Sequence, residues 1–173
     1  KVHDVASVAS FFISRVDSEI DKRLDAVGTD EALGIRGKAA IAQAKVAYSM
    51  FETTFSGEAW KTLAKLGAQV QRPLWASTST KNPVYRDTMY VDELIGAHSV
   101  NTLPDATMEA FADHGTVAET IAIDVDGARS NLLALQNIGI DMTAVADQLE
   151  SEGVASFQQS FNDLLAVLES KRK

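Results

Sequence analysis

The chain has 173 residues, 46% hydrophobic and 23% charged, with a net charge of −8, the make-up of one globular domain with a real core. That acidic balance excludes nucleic acid as the main partner, because phosphate-backbone binding needs a basic face, while a local basic pocket for a small anion stays open. With no cysteine and only three histidines, His3, His98 and His114, neither a disulfide, a thiolate metal site nor a His-rich metal centre is expected.

The first element, about Val5 to Ile13, reads as a strand buried on both faces, as parallel strands are. A charged helix follows from Asp17 through Leu24 and stops near Gly28; its acid-rich run to Asp25 reads most simply as a solvated face. Thr29 or Asp30 caps a long helix. Its expected buried face is Ile41, Ala44, Tyr48, Phe51 and Phe55, which recur at three- and four-residue steps. Gly57 breaks it, and Glu58 to Leu66 forms another helix. The run PLWAS, Pro73 to Ser77, is a second strand, with proline tolerated at its start.

The loop STSTKNPVY leads to a short helix, Tyr90 to Ile95, ended by Gly96. Ser99 to Leu103 is a third strand, stopped by Pro104, and Asp105 to His114 is helical. Ala118 to Ile123 is apolar without a clear period. Three helices are expected after it, Ala128 to Asn137, Met142 to Glu150 and Val154 to Lys171. The last carries an apolar stripe of Val154, Phe157, Phe161, Leu164 and Leu168, and Lys171, Arg172 and Lys173 suit a helix C-terminus.

No apolar run approaches the ~20 residues of a membrane span. The opening KVHDVAS lacks the shape of a signal peptide. A cytoplasmic protein without a membrane partner is expected. Three strands, each followed by helix, indicate an α/β fold with a parallel sheet. Too little sheet is present for a whole eight-stranded barrel, so the pattern leaves an α-rich α/β domain or part of a larger barrel.

Each strand ends in polar residues: Ser14, Arg15 and Asp17; Ser77 to Asn82; Asn101 and Thr102. In parallel α/β folds the strand C-termini carry the active site. Hydroxyls, an amide, a guanidinium and an ammonium gathered there suit a phosphorylated polyhydroxy ligand. Each cluster also has a plain alternative. Arg15 could pair with Asp17 or Glu19, Lys81-Asn82-Pro83 reads alone as a turn, and His114 before glycine reads as a helix-end residue. Trp75 and Phe11 read as packing residues. No Walker loop, dinucleotide glycine fingerprint, zinc motif or nucleophile elbow occurs.

Three segments in order, VASFFISRVDSEIDKRL, QRPLWASTSTKNPVYRDTMYVDELIG and SVNTLPDATMEAFADHG, resemble the last part of a bacterial transaldolase. The resemblance implies strands six to eight of a TIM (β/α)8 barrel, with residues 1–173 a single domain. It implies Schiff-base transfer of a dihydroxyacetone unit between sugar phosphates in the pentose phosphate pathway, with no metal and no cofactor. Ser10 and Phe12 match substrate-facing positions, Arg15 a phosphate-binding arginine, and Ser77 a serine that helps hold the phosphate. Lys81 falls near a second basic phosphate ligand, in a loop where Ser79-Thr80 replaces the family's usual glycine and aliphatic residue. The Schiff-base lysine and the acid and base carboxylates belong to upstream strands. No catalytic residue is therefore expected in this chain. Its expected partners are sugar phosphates and the missing N-terminal part of the barrel, and alone it is expected to be inactive. The alternative is a non-catalytic sugar-phosphate-binding fragment or scaffold.

Overall fold

In a computed structural model, which describes residues 1–172, strand β1 (Ser7–Phe12) runs without a loop into helix α1 (Ile13–Val27). The apolar residues Ile13, Val16, Ile20 and Leu24 form the buried stripe of α1, and Gly28 closes the helix in the left-handed conformation, as a C-terminal glycine commonly does. Thr29 accepts the Ala32 N–H at the start of a short α2 (Asp30–Leu33). A turn through Gly37 then leads to α3 (Ala39–Ser56). The long helix expected after Thr29 is thus two helices, because Gly34 and Gly37 interrupt the pattern.

Gly37 sits at φ 70°, and a Cβ there would lie 2.7 Å from the Tyr85 ring. Gly37→Ala is expected to cost about 1–3 kcal/mol from the left-handed backbone alone, read as a lowered urea midpoint.

Helix α4 (Glu58–Lys65) follows Gly57. An aromatic ladder links α3 to it: Tyr48, Phe51, Phe55 and Trp60 stand at successive centroid distances of 5.7, 5.1 and 4.7 Å. Of the expected α3 face, Ala44 and Tyr48 are buried, whereas Ile41, Phe51 and Phe55 are half-exposed. The alanines Ala39, Ala40 and Ala42 bury instead, letting α3 pack closely against α1 and α7.

Strand β2 (Gln71–Ala76) pairs in parallel with β1, Ser7 to Gln71 through Phe12 to Ala76, and with β3 (Val100–Asn101) on its other side. Between them come the Ser77–Thr88 loop and α5 (Met89–Glu93). The third strand is only two residues long, and fastening continues beyond it through backbone as well as side-chain bonds. Thr102 donates its N–H to Trp75 O, and Thr78 donates its hydroxyl to Asn101 Oδ1 at 2.7 Å.

Helices α6 (Asp105–His114) and α7 (Val125–Asn137) complete the first of two compact units, Lys1–Ile140. The apolar stretch before α7 is turn, with Ile121 filling the space that a side chain at Gly96 would take. The second unit, from Asp141 onward, is one helix, α8 (Met142–Ser170). The two helices expected there are continuous through Gly153, since an interior glycine costs only about 1 kcal/mol. Its stripe of Val154, Phe157, Phe161, Leu164 and Leu168 is exposed along its length. Helix α8 ends before Lys171, and Lys173 lies outside the described residues.

The expectation that β1 is buried on both faces is corrected. Val8 and Phe12 are 40% and 46% exposed, because the sheet face they share with Ser10 lies open; β2 is the strand's single neighbour in the sheet. Alternation separates two faces. Pro73 and Trp75 are buried and Phe11 half-buried, whereas Val8, Ser10 and Phe12 are exposed and Leu74 and Ala76 half-exposed.

Candidate functional site

The carboxyl ends of β1 and β2 meet the amino end of α1. Ser10 and Phe12 stand on the open face of the sheet, opposite Leu74 and Ala76 in register. Arg15 lies in the first turn of α1, exposed, its guanidinium carbon 4.5 Å from the Phe12 ring centroid. This cation–π contact holds the guanidinium over the open face. Its surface alternative, a pair with Asp17 or Glu19, is not formed: Glu19 pairs with Arg23 at 2.8 Å, and Asp17 turns inward. The amino end of α1 has neither a side-chain cap nor an acid in its first turn, an electrostatic setting that favours anions.

Ser77 terminates β2 at φ 57°, a left-handed conformation uncommon for a residue bearing a Cβ. Its carbonyl accepts the Ser14 N–H at 3.0 Å, so the loop after β2 is tied to the first turn of α1 beside Arg15. The fully buried Thr78 anchors the next position to Asn101 and Thr102. These bonds hold the strained turn.

Ser10, Phe12, Arg15 and Ser77 are therefore brought to one end of the sheet. Lys81 lies elsewhere. Its ammonium donates to Ser79 Oγ at 2.8 Å, and it lines a cleft of about 330 Å³ along α1, with Asp21, Lys22, Asp25 and Tyr85. Trp75 and Phe11 are packing residues, with ring centroids 5.5 Å apart and Trp75 fully buried. His114 ends α6 and pairs with Asp87 at 2.9 Å, and its hydrogen bonds to Asp87 and Asp113 raise its pKa.

One reading needs correction. The acid-rich face of α1 is not simply solvated: Asp17 is fully buried and Asp21 nearly so. Asp17 accepts the Ala40 N–H at 2.8 Å and the Tyr90 hydroxyl at 2.7 Å. Asp21 accepts the Gly37 N–H at 2.9 Å and the Tyr85 hydroxyl. Burial, more than any neighbour, pushes the Asp17 carboxyl up to about 6 and lifts both tyrosine hydroxyls above their usual range. A signal for this was in the sequence. At 100° per residue, Asp17 and Asp21 flank the Ile13–Val16–Ile20–Leu24 stripe instead of opposing it.

Among the described residues no lysine offers a free ammonium inside the fold. Lys45 is buried in α3, donating to Ile123 O at 3.0 Å and lying 3.7 Å from Glu93. Lys61 pairs with Glu58 on the surface of α4. Among the described residues no cluster of His, Asp or Glu is arranged to hold a metal ion, and no helix is long and apolar enough to cross a membrane.

The family described as transaldolase/fructose-6-phosphate aldolase matches residues 2–168. The chain is 54% identical over 168 residues to a transaldolase of Parafrankia sp. (strain EAN1pec), covering 96% of this chain and 46% of that protein. It is 51% identical over 165 residues to transaldolase 1 of Streptomyces coelicolor, covering 95% and 43%. With a transaldolase of Thermobifida fusca it shares 49% identity over 162 residues, covering 93% and 44%. The chain spans a little under half the length of the curated relatives it matches.

Proposed function

Because the chain belongs to the transaldolase/fructose-6-phosphate aldolase family, we propose that it is the carboxyl-terminal part of a (β/α)8 barrel, strands six to eight within a single domain. In this reading it supplies the phosphate-binding side of a cytoplasmic transaldolase. The observation that carries this reading is Arg15. It stands at the carboxyl ends of parallel strands, where such folds place their ligands, over an open face shared with Ser10 and Phe12.

A guanidinium offers two parallel donors to a phosphate, and the uncapped amino end of α1 adds a favourable dipole. Ser77 closes the site from β2, and Ser10 faces the sugar. Held by its phosphate, a ketose phosphate would present its carbonyl to a lysine on an earlier strand. Schiff-base formation there would provide the electron sink for transfer of the dihydroxyacetone unit. The phosphate side contributes position, which can supply a large share of catalysis when the reacting atoms are aligned. The free edge of β1 and the open face that carries Val8 and Phe12 fit a missing N-terminal part as partner, since parallel sheets are covered on both faces and an unpaired edge invites pairing.

Isothermal calorimetry with fructose 6-phosphate tests this. Arg15→Ala is expected to weaken binding by about tenfold to a hundredfold, the worth of one or two charge-assisted hydrogen bonds; an unchanged affinity would remove Arg15 from the site. Borohydride added to the same mixture is expected to leave the chain's mass unaltered. A covalent adduct would place the nucleophile in this chain after all.

A further inference from the structure

The flank of α1 facing α3 and α5 carries a second polar cluster, with no part in the phosphate site as described above. The two oxygens of Asp17 are divided between the Ala40 N–H at the start of α3 and the Tyr90 hydroxyl on α5. Those of Asp21, one turn later, are divided between the Gly37 N–H and the hydroxyl of Tyr85, at the far end of the β2–α5 loop. Each carboxylate therefore joins α1 to two other segments.

Four directed bonds from two residues of one helix fix its rotation as well as its place. A roll of α1 by a single residue would carry both carboxylates through about 100° and break all four. The orientation of Arg15 is set by the same rotation. The loop carrying Lys81 is pinned to the same helix at both ends. Ser77 O takes the Ser14 N–H at 3.0 Å, and Tyr85 gives its hydroxyl to Asp21. Seven helical residues separate the two pins, roughly 10 Å along the axis. Lys81 is midway, four residues from each. Gly37 leaves the room that the Tyr85 ring occupies.

We propose that Asp17 and Asp21, with Tyr90 and Tyr85, are positioning residues that set the separation between Arg15 and the Lys81 loop, and so the size of phosphorylated ligand the two cations span. The proposal rests on the reading of Arg15 as a phosphate ligand, and adds that Lys81, which stands apart from Arg15 in the cleft along α1, meets the far side of the same ligand. Although Asp21 and Tyr85 line the same cleft as Lys81, their part here is to act through α1 and through the loop.

The test is a double-mutant cycle on the full chain, read by calorimetry with fructose 6-phosphate. Tyr85→Phe removes one hydroxyl and keeps the ring. It is expected to weaken binding about fivefold to tenfold with an unchanged far-ultraviolet circular dichroism spectrum. Lys81→Ala is expected to weaken binding in the parent chain and to add less than about twofold in the Tyr85→Phe background, because an unpinned loop no longer presents the lysine. A purely structural Tyr85 would leave the two effects additive, and additivity overturns the proposal. So does an affinity within about twofold of the parent for Tyr85→Phe, or a silent Lys81→Ala. Asp21→Ala, which removes the acceptor of the Tyr85 hydroxyl, gives the same cycle should the phenylalanine variant not fold. If the parent chain binds no fructose 6-phosphate, the phosphate-site reading fails and this proposal with it. If binding is present and lost in Arg15→Ala but indifferent to Tyr85→Phe, the positioning role alone fails.

Discussion

Trp75→Ala is expected to destabilise the Lys1–Ile140 unit by about 3–5 kcal/mol, a large part of the stability of an ordinary domain. Trp75 is 0% exposed. It sits in the central strand, paired to Phe11 on one side and Asn101 on the other, with its ring against that of Phe11. Truncation would leave a cavity between the sheet and its helical cover, and the backbone pairing on both sides limits collapse. The indole N–H has no hydrogen-bond partner, and such an orphan costs about 1–3 kcal/mol. Trp75→Phe, which removes the orphan and keeps most of the apolar area, is therefore expected to cost well under half as much. Urea titration followed by circular dichroism orders the three chains. A phenylalanine variant as unstable as the alanine variant would contradict this account of the indole.

The second large effect is pH-dependent. Asp17 titrates at about 6 in the folded chain against an ordinary value of 3.8. Burial dominates; hydrogen bonds from Ala40 and Tyr90 oppose it, Asp21 adds to the rise, and the Ala39 N–H lowers it slightly. A carboxyl whose pKa rises on folding keeps its proton longer in the folded state. Between about pH 4 and pH 6 the folded chain thus holds more protons than the unfolded chain, and stability falls as pH rises through that window. A shift of this size corresponds to about 3 kcal/mol. In Asp17→Asn the amide oxygen accepts from Ala40 and the NH₂ donates to the Tyr90 oxygen, so the bonds survive without the charge. The slope across that window is expected to flatten, with stability at pH 7 no lower than in the parent. A slope that persists in Asp17→Asn would assign the titration to another carboxyl.

The apolar runs of β1 and β2, the glycine stop at Gly28, the Thr29 cap and the limits of α6 were legible because each depends on residues close in sequence. What failed depends on neighbours that sequence period does not name. The strand expected over Val5 to Ile13 has the composition of a buried one, yet its open face exposes Val8 and Phe12. Composition reports which surface a strand is built to bury, not what covers it. Asp17 and Asp21 were misread because an acidic residue on a helix is usually solvated; their partners, Tyr85 and Tyr90, lie more than sixty residues away. At the candidate site, the alternation that puts Ser10 and Phe12 on one face was readable from the strand alone. The direction of Arg15 was not, since it depended on where α1 begins.

That beginning has an evolutionary corollary. Strand β1 passes into α1 between Phe12 and Ile13 with no intervening loop, so Arg15 inherits its bearing from the phase of a helix. A loop can absorb an extra residue; this joint cannot. One residue inserted between Phe12 and Arg15 would swing the guanidinium by about 100° and lift it by about 1.5 Å, off the Phe12 ring and away from the open face.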